Sequence, residues 1–174
     1  MKLPALLLSL LLSLAAAPAP AAPPQEGTPS HSLRISGAVK APVELDLAAL
    51  RGLAERESGP IDVVCASGAV LAQDNRYRGV RLVDVLDHVG LKLEDHRDGR
   101  RMVIVARATD DYTVTFSWSE LYNTAIGNEV LVAWERNGEP LEVREGQLLL
   151  ISGQDIKTGP RHVRWLDRIE VIRM

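Results

Sequence analysis

Apolar residues in this chain gather in short runs with different spacings. Ile61-Asp62-Val63-Val64 and the segments 102–106, 129–134, 147–151 and 169–172 are rich in β-branched and aliphatic side chains and predict strands. Segment 112–116 alternates apolar and polar with period two, as a strand with one wet face does. Leu82, Val85, Leu86 and Val89 recur at helical spacing, and Gly90 then stops the segment. Ser117-Trp118-Ser119-Glu120 has the form of a capping box, and Asp46 is placed to cap a short turn over 47–52. Asn137-Gly138 marks a tight turn between apolar runs. The charge run 94–101, with Asp98-Gly99, predicts a solvated loop. Together these elements predict one α+β domain, a mixed sheet with short surface helices.

The first apolar run is different. Met1-Lys2 precedes a leucine-rich stretch over 6–14 that is too short to span a bilayer as a mature helix. Ala19-Pro20-Ala21 fits the small-x-small rule of signal peptidase. Residues 1–21 therefore read as a secretory signal cut before Ala22; the alternative is a retained membrane anchor. Residues 22–32, rich in proline and small side chains, read as a flexible tether, and 33–174 as the domain. About 150 residues bury enough surface to need no disulfide staple. The expected location is the bacterial periplasm, with no stable membrane insertion after cleavage.

Composition narrows the function. The chain has 174 residues, a net charge of −3 and a single cysteine. The acidic balance argues against a nucleic-acid partner. One cysteine excludes an internal disulfide, and a Cys-rich zinc or iron–sulfur site. In an exported chain that thiol is a buried small hydrophobe, an intermolecular link or a ligand. There is no phosphate-binding glycine loop, no H-E-x-x-H and no nucleophile elbow. A Cys65/His162 hydrolase carries no supporting signature.

Two segments carry candidate chemistry. Cys65 closes a strand and enters the small-residue loop Ala66-Ser67-Gly68-Ala69. Gly159-Pro160-Arg161-His162-Val163-Arg164-Trp165 concentrates arginine, histidine and indole after a forced turn, which suits an anion-binding corner. Trp165 itself is expected to plug into the core.

These residues resemble a family. Val64-Cys65-Ala66-Ser67-Gly68-Ala69, followed by Arg76-Tyr77-Arg78-Gly79-Val80-Arg81-Leu82-Val83-Asp84-Val85-Leu86, is similar to the sulfite oxidase molybdopterin-binding domain. So are Asp111-Tyr112 ahead of segment 118–122, the turn Asn137-Gly138-Glu139-Pro140-Leu141, and Arg161-His162-Val163-Arg164-Trp165-Leu166-Asp167-Arg168-Ile169. The resemblance implies that Cys65 is a molybdenum ligand, with Ser67 beside it. It implies that Arg161, His162 and Arg164 cradle a pterin and its phosphate, and that Tyr112 lies near the substrate position. The chain departs from the family in lacking its Arg-Asn-His motif within 22–34, and in having Ala69 and Val70 where an arginine follows the cysteine.

Two functions follow. The first is a binding module for free pterin. Trp118, Trp134 or Tyr112 would stack on the ring, and Asp110, Asp111 or Asp155 would take its amidine edge. Small secreted relatives implied by the resemblance act as pterin-binding partners of membrane sensors. The second is a molybdopterin-dependent oxidoreductase with Cys65 on molybdenum, passing electrons to a redox partner protein.

Overall fold

The computed structural model describes residues 27–95 and 97–174. The predicted signal and the first part of the tether lie outside the described residues, as does His96.

In chain order the strands are β1 (Ser32–Gly37), β2 (Val43–Asp46), β3 (Glu55–Glu57), β4 (Ile61–Val64), β5 (Val70–Asn75) and β6 (Tyr77–Arg81). They continue with β7 (Met102–Ala108), β8 (Thr113–Ser117), β9 (Val130–Arg136), β10 (Glu139–Pro140), β11 (Leu149–Ser152) and β12 (Leu166–Arg173). Three short helices are α1 (Leu47–Arg51), α2 (Leu82–Val89) and α3 (Trp118–Asn123). The fold is α+β, with its strands divided between two sheets and a ribbon. One sheet runs β2-β1-β12-β7-β8 and is mixed, because β1 and β12 are parallel. The second runs β10-β9-β6-β3, with β11 also on β9. β4 and β5 form a separate hairpin.

The local signals hold. Asp46 accepts from the Ala49 N–H at 2.8 Å and caps α1. Ser117 and Glu120 close the capping box of α3. Asn137 and Gly138 turn β9 into β10 with φ of 55° and 82°, the paired left-handed geometry that suits Asn-Gly. Helix α2 buries Leu82, Val85 and Leu86 and stops at Gly90.

The continuous apolar runs have a definite cause. Strand β9 is buried on both faces. Val130, Val132 and Trp134 enter the main core between the sheets, while Leu131 and Ala133 join a smaller core with Ile61, Tyr77, Leu149 and Ile151. A strand covered on both sides reads as unbroken hydrophobic sequence. The main core also takes Leu33, Ile35, Ile104, Phe116 and Ile169 from the mixed sheet.

Two expectations differ from the structure. The described end of the tether is packed: Ser30 is buried and its hydroxyl donates to the Leu166 carbonyl. The Thr28 N–H donates to the Thr109 hydroxyl at 2.8 Å, and a Cβ on Gly27 would lie 2.5 Å from the Trp165 ring. The order therefore begins ahead of residue 33. The charge run 94–101 is not wholly solvated either. Asp98 is buried, accepts from the Glu94 N–H at 2.6 Å, and lies 3.4 Å from Arg173.

Candidate functional site

The site is built where the β4–β5 hairpin meets the segment before β12. Val64 ends β4, and Cys65 opens the turn: its N–H donates to the Ala69 carbonyl at 2.8 Å and its carbonyl accepts from Gly68 at 2.9 Å. Thr158, buried, ties the other segment to this hairpin. It accepts from the Val64 N–H at 3.0 Å and donates to the Asp62 carbonyl at 2.5 Å. Lys157 Nζ donates to the Ala66 carbonyl. The backbones then touch at Gly159, where a Cβ would come within 2.8 Å of the Val64 carbonyl oxygen and 3.3 Å of the Cys65 Cα. The glycine is required there because no side chain fits between the strands of contact.

This packing leaves two adjoining clefts. The larger, about 350 Å³, has Val63, Leu71 and Ala72 of the hairpin on one wall. Gly159, His162 and Arg164 form the opposite wall, and Tyr77, Arg136, Arg144 and Glu145 close it. The smaller, about 210 Å³, is lined by Asp110 and Tyr112 together with the same Gly159, His162 and Arg164.

Trp165 sets the direction of this shared wall. It adopts φ 51°, left-handed for a large side chain, and is held by packing and hydrogen bonds. Its ring is buried, its indole N–H donates to the Val143 carbonyl at 3.0 Å, and its backbone N–H donates to Glu145 at 2.9 Å. The expectation of a core plug holds. Arg164, just before it, stays exposed with its guanidinium 5.0 Å from the Trp165 ring centre.

The residues singled out in sequence part company here. Cys65 is partly buried and lines neither cleft, but its hairpin walls the larger one. Its thiol is held below the ordinary range by the Ser67 N–H first, then the Ser67 hydroxyl, the Ala66 N–H and the Lys157 charge. Ser67 therefore favours the thiolate. Tyr112 is exposed at the mouth of the smaller cleft, and its hydroxyl donates to the Pro160 carbonyl at 2.8 Å. His162 lies in both clefts with its ring edge-on to Tyr77, centroids 6.0 Å apart. Burial first, then the Arg164 and Arg136 charges, push it down to about 4, so it is neutral at ordinary pH.

Arg161 is turned elsewhere. Its Nε donates to Asp155 at 2.6 Å, Nη1 donates to Glu120 at 2.7 Å, and Nη2 donates to Asp155. The guanidinium carbon lies 4.4 Å from the Phe116 ring centre. This residue fastens the segment to α3 and β8 rather than facing either cleft. Asp155 is engaged by it.

The stacking candidates divide in the same way. Trp134 is in the main core, and Trp118 stacks on Tyr122 with centroids 4.8 Å apart. Tyr112 alone among the three lines a cleft. Asp110 shares that cleft, whereas Asp111 is exposed in a left-handed turn.

Sequence reasoning did not single out Tyr77, Arg136 and Glu145. Tyr77 stands in the quoted aromatic-x-Gly stretch, which was a signal. Glu145 sits in the charged stretch Glu142-Val143-Arg144-Glu145, which reads as solvated surface. Tyr77 Oη, Glu145 Oε2 and His162 Nε2 are buried and have no hydrogen-bond partner among the described residues.

A thiolate-favouring hairpin beside a polar double cleft defines a class: an α+β domain with a candidate binding site between its β4–β5 hairpin and the segment before β12. The oxidoreductase molybdopterin binding domain profile matches residues 19–174, and the chain belongs to that family. The sulfane dehydrogenase SoxCD from Paracoccus pantotrophus has a similar fold, with a TM-score of 0.62 at 19% identity. The alignment covers 82% of this chain and 38% of that one, so this chain spans well under half of the larger protein. No curated protein matches.

The residues present fit such a cofactor at both ends. Cys65 offers a soft thiolate of the kind molybdenum takes, and Tyr77, Glu145 and His162, which line the larger cleft, each carry a buried polar atom without a partner. Among the described residues no three His, Cys, Asp or Glu side chains cluster as a metal site.

Proposed function

We propose that this chain is an exported pterin-binding protein of the sulfite oxidase fold, working as a ligand-binding module with a membrane sensor. One observation carries the reading: the double cleft is lined by hydrogen-bonding groups, with little uncommitted charge. Arg136 pairs with Glu145 and Glu142, and Arg144 pairs with Glu142. Arg164 has no carboxylate partner among the described residues. Such a lining suits an uncharged, flat donor–acceptor ring better than a ligand bearing several negative charges. Tyr112 supplies an exposed aromatic face at the mouth.

A second reading, a molybdopterin-dependent oxidoreductase, is favoured by the lowered Cys65 thiol. The bound group would supply oxygen-atom or electron transfer; Cys65 would hold its metal, and His162 and Arg164 its pterin.

The experiment is compositional. The exported chain is purified from a host that makes both molybdopterin and free pterins. Molybdenum and released pterin fluorescence are then measured per protein. Pterin without stoichiometric molybdenum, retained by Cys65→Ser, is the expected result. Molybdenum near one per chain, lost in Cys65→Ser, would establish the enzyme reading instead.

A further inference from the structure

Resting on the pterin reading, we propose that Glu145, which lines the larger cleft, reads the amidine edge of the ring. Tyr77 and His162 supply the neighbouring hydrogen-bonding groups.

The argument starts from a mismatch. Glu145 is buried, with 5% exposure, and so is Tyr77, with none. Glu145 Oε1 accepts from Arg136 Nη1 at 2.5 Å, but Oε2 has no partner. A buried carboxylate oxygen without a donor is costly, so a fold that keeps one has a use for it. Both ends of the residue are fixed: its N–H donates to the Glu142 carbonyl at 2.8 Å and its carbonyl accepts from Trp165. The carboxylate is therefore held in place beside the cleft, and because Oε2 has almost no exposed surface, a ring reaches it only as the side chains that cover it part.

The chemistry that answers it is specific. A 2-amino-4-oxopteridine presents two adjacent N–H donors along one edge, which a carboxylate accepts side by side. Tyr77, pushed up to about 12 chiefly by burial and then by Glu145, against a lowering by the neighbouring Arg136 guanidinium, keeps its proton and is a donor for a ring carbonyl. His162 is neutral, lines the same cleft and carries an unpartnered Nε2.

Asp110 is the rival carboxylate. It is less deeply buried and accepts from the Tyr112 N–H at 3.0 Å. A part-solvated carboxylate gains less from a ligand donor than a buried, unanswered one.

The test compares two rings that differ at one atom: pterin, with a 2-amino group, and lumazine, with a 2-oxo group. The purified chain should bind pterin at least about tenfold more tightly, the usual value of a hydrogen bond to a charged group. Glu145→Gln should lose about tenfold to a hundredfold for pterin and shift the preference toward lumazine. Its amide N–H then meets the 2-oxo group. Asp110→Asn should keep the wild-type preference. Equal binding of the two rings by the wild type overturns the assignment. So does a preference that survives Glu145→Gln, or one lost in Asp110→Asn; each leaves the pterin reading standing. Failure of the wild type to bind either ring removes the reading itself. If melting curves show Glu145→Gln unfolded, Tyr77→Phe and the wild-type ratio decide. Tyr77→Phe should weaken both rings by a similar factor, and unchanged binding counts against the site.

Discussion

The mixed sheet and the cleft corner handle buried groups in opposite ways. Against the sheet, Ile104, Phe116, Ile169 and Val171 pack as carbon alone, Arg161 has its donors answered, and the unanswered polar atoms of that core are two uncharged indole N–H groups, those of Trp118 and Trp134. In the corner, Tyr77 and Glu145 are buried and His162 partly buried, and each of these titratable groups has a polar atom left unanswered. The first region is organised for stability. The second gives up stability to keep groups available for something that enters. Substitutions in the two regions should therefore separate folding from recognition.

The largest expected effect is in the sheet. Phe116→Ala removes a buried ring beneath Arg161 and should cost about 3–5 kcal/mol in urea unfolding. A loss below about 1 kcal/mol would mean that the sheet is not where stability resides.

The next lies in the corner and is read by pH. His162 has its pKa lowered from 6.5 in the unfolded chain to about 4 in the fold. Above pH 6.5 both states hold it neutral and the full stability is present. As pH falls from 6.5 toward 4, the unfolded chain takes up a proton that the folded chain refuses, so stability drops. Below about 4 the loss stops, having reached up to about 3 kcal/mol. Urea midpoints of the wild type between pH 7.5 and 4 should fall more steeply than those of His162→Gln. Parallel slopes would show that the ring is not held neutral.

Arg161 should give a smaller effect of a different kind. Arg161→Gln leaves Asp155 and Glu120 without their guanidinium. Both are only partly buried, so the expected cost is about 1–3 kcal/mol. Because the side chain points away from the clefts, residual ligand affinity in the folded variant should stay near wild type. Arg164→Ala should do the reverse, weakening the ligand at little cost in stability. Isothermal titration beside a melting curve distinguishes them.

That pair also measures what a sequence can convey. The two arginines stand three residues apart in one motif and were read as one cradle. Their separation depends on the turn at Gly159-Pro160-Arg161 and the left-handed Trp165, which are tertiary facts. Strands β7, β9 and β11 were legible because burial on both faces leaves nearly continuous apolar sequence, and β4, β8 and β12 because burial on one face leaves an alternation. Strands β1, β2 and β5 were not, since polar residues interrupt them and β5 is largely exposed. Cys65 and its loop were legible as chemistry. Glu145 was not, because a glutamate among charges reads as solvated until the fold buries it.

The smallest expected effect sharpens the contrast most. Tyr77 is fully buried, yet its hydroxyl has no partner. Tyr77→Phe keeps the ring against Ile61 and Leu149 and removes only the unanswered oxygen. Deleting a satisfied buried hydroxyl costs about 1 kcal/mol; deleting an unsatisfied one removes a desolvation penalty instead. The variant should thus be as stable as wild type or more so, by up to about 1 kcal/mol, while binding pterin less well. Stability and affinity moving in opposite directions on one hydroxyl is what a recognition group predicts. A marked loss of stability would place the Tyr77 oxygen among the groups that hold the fold together.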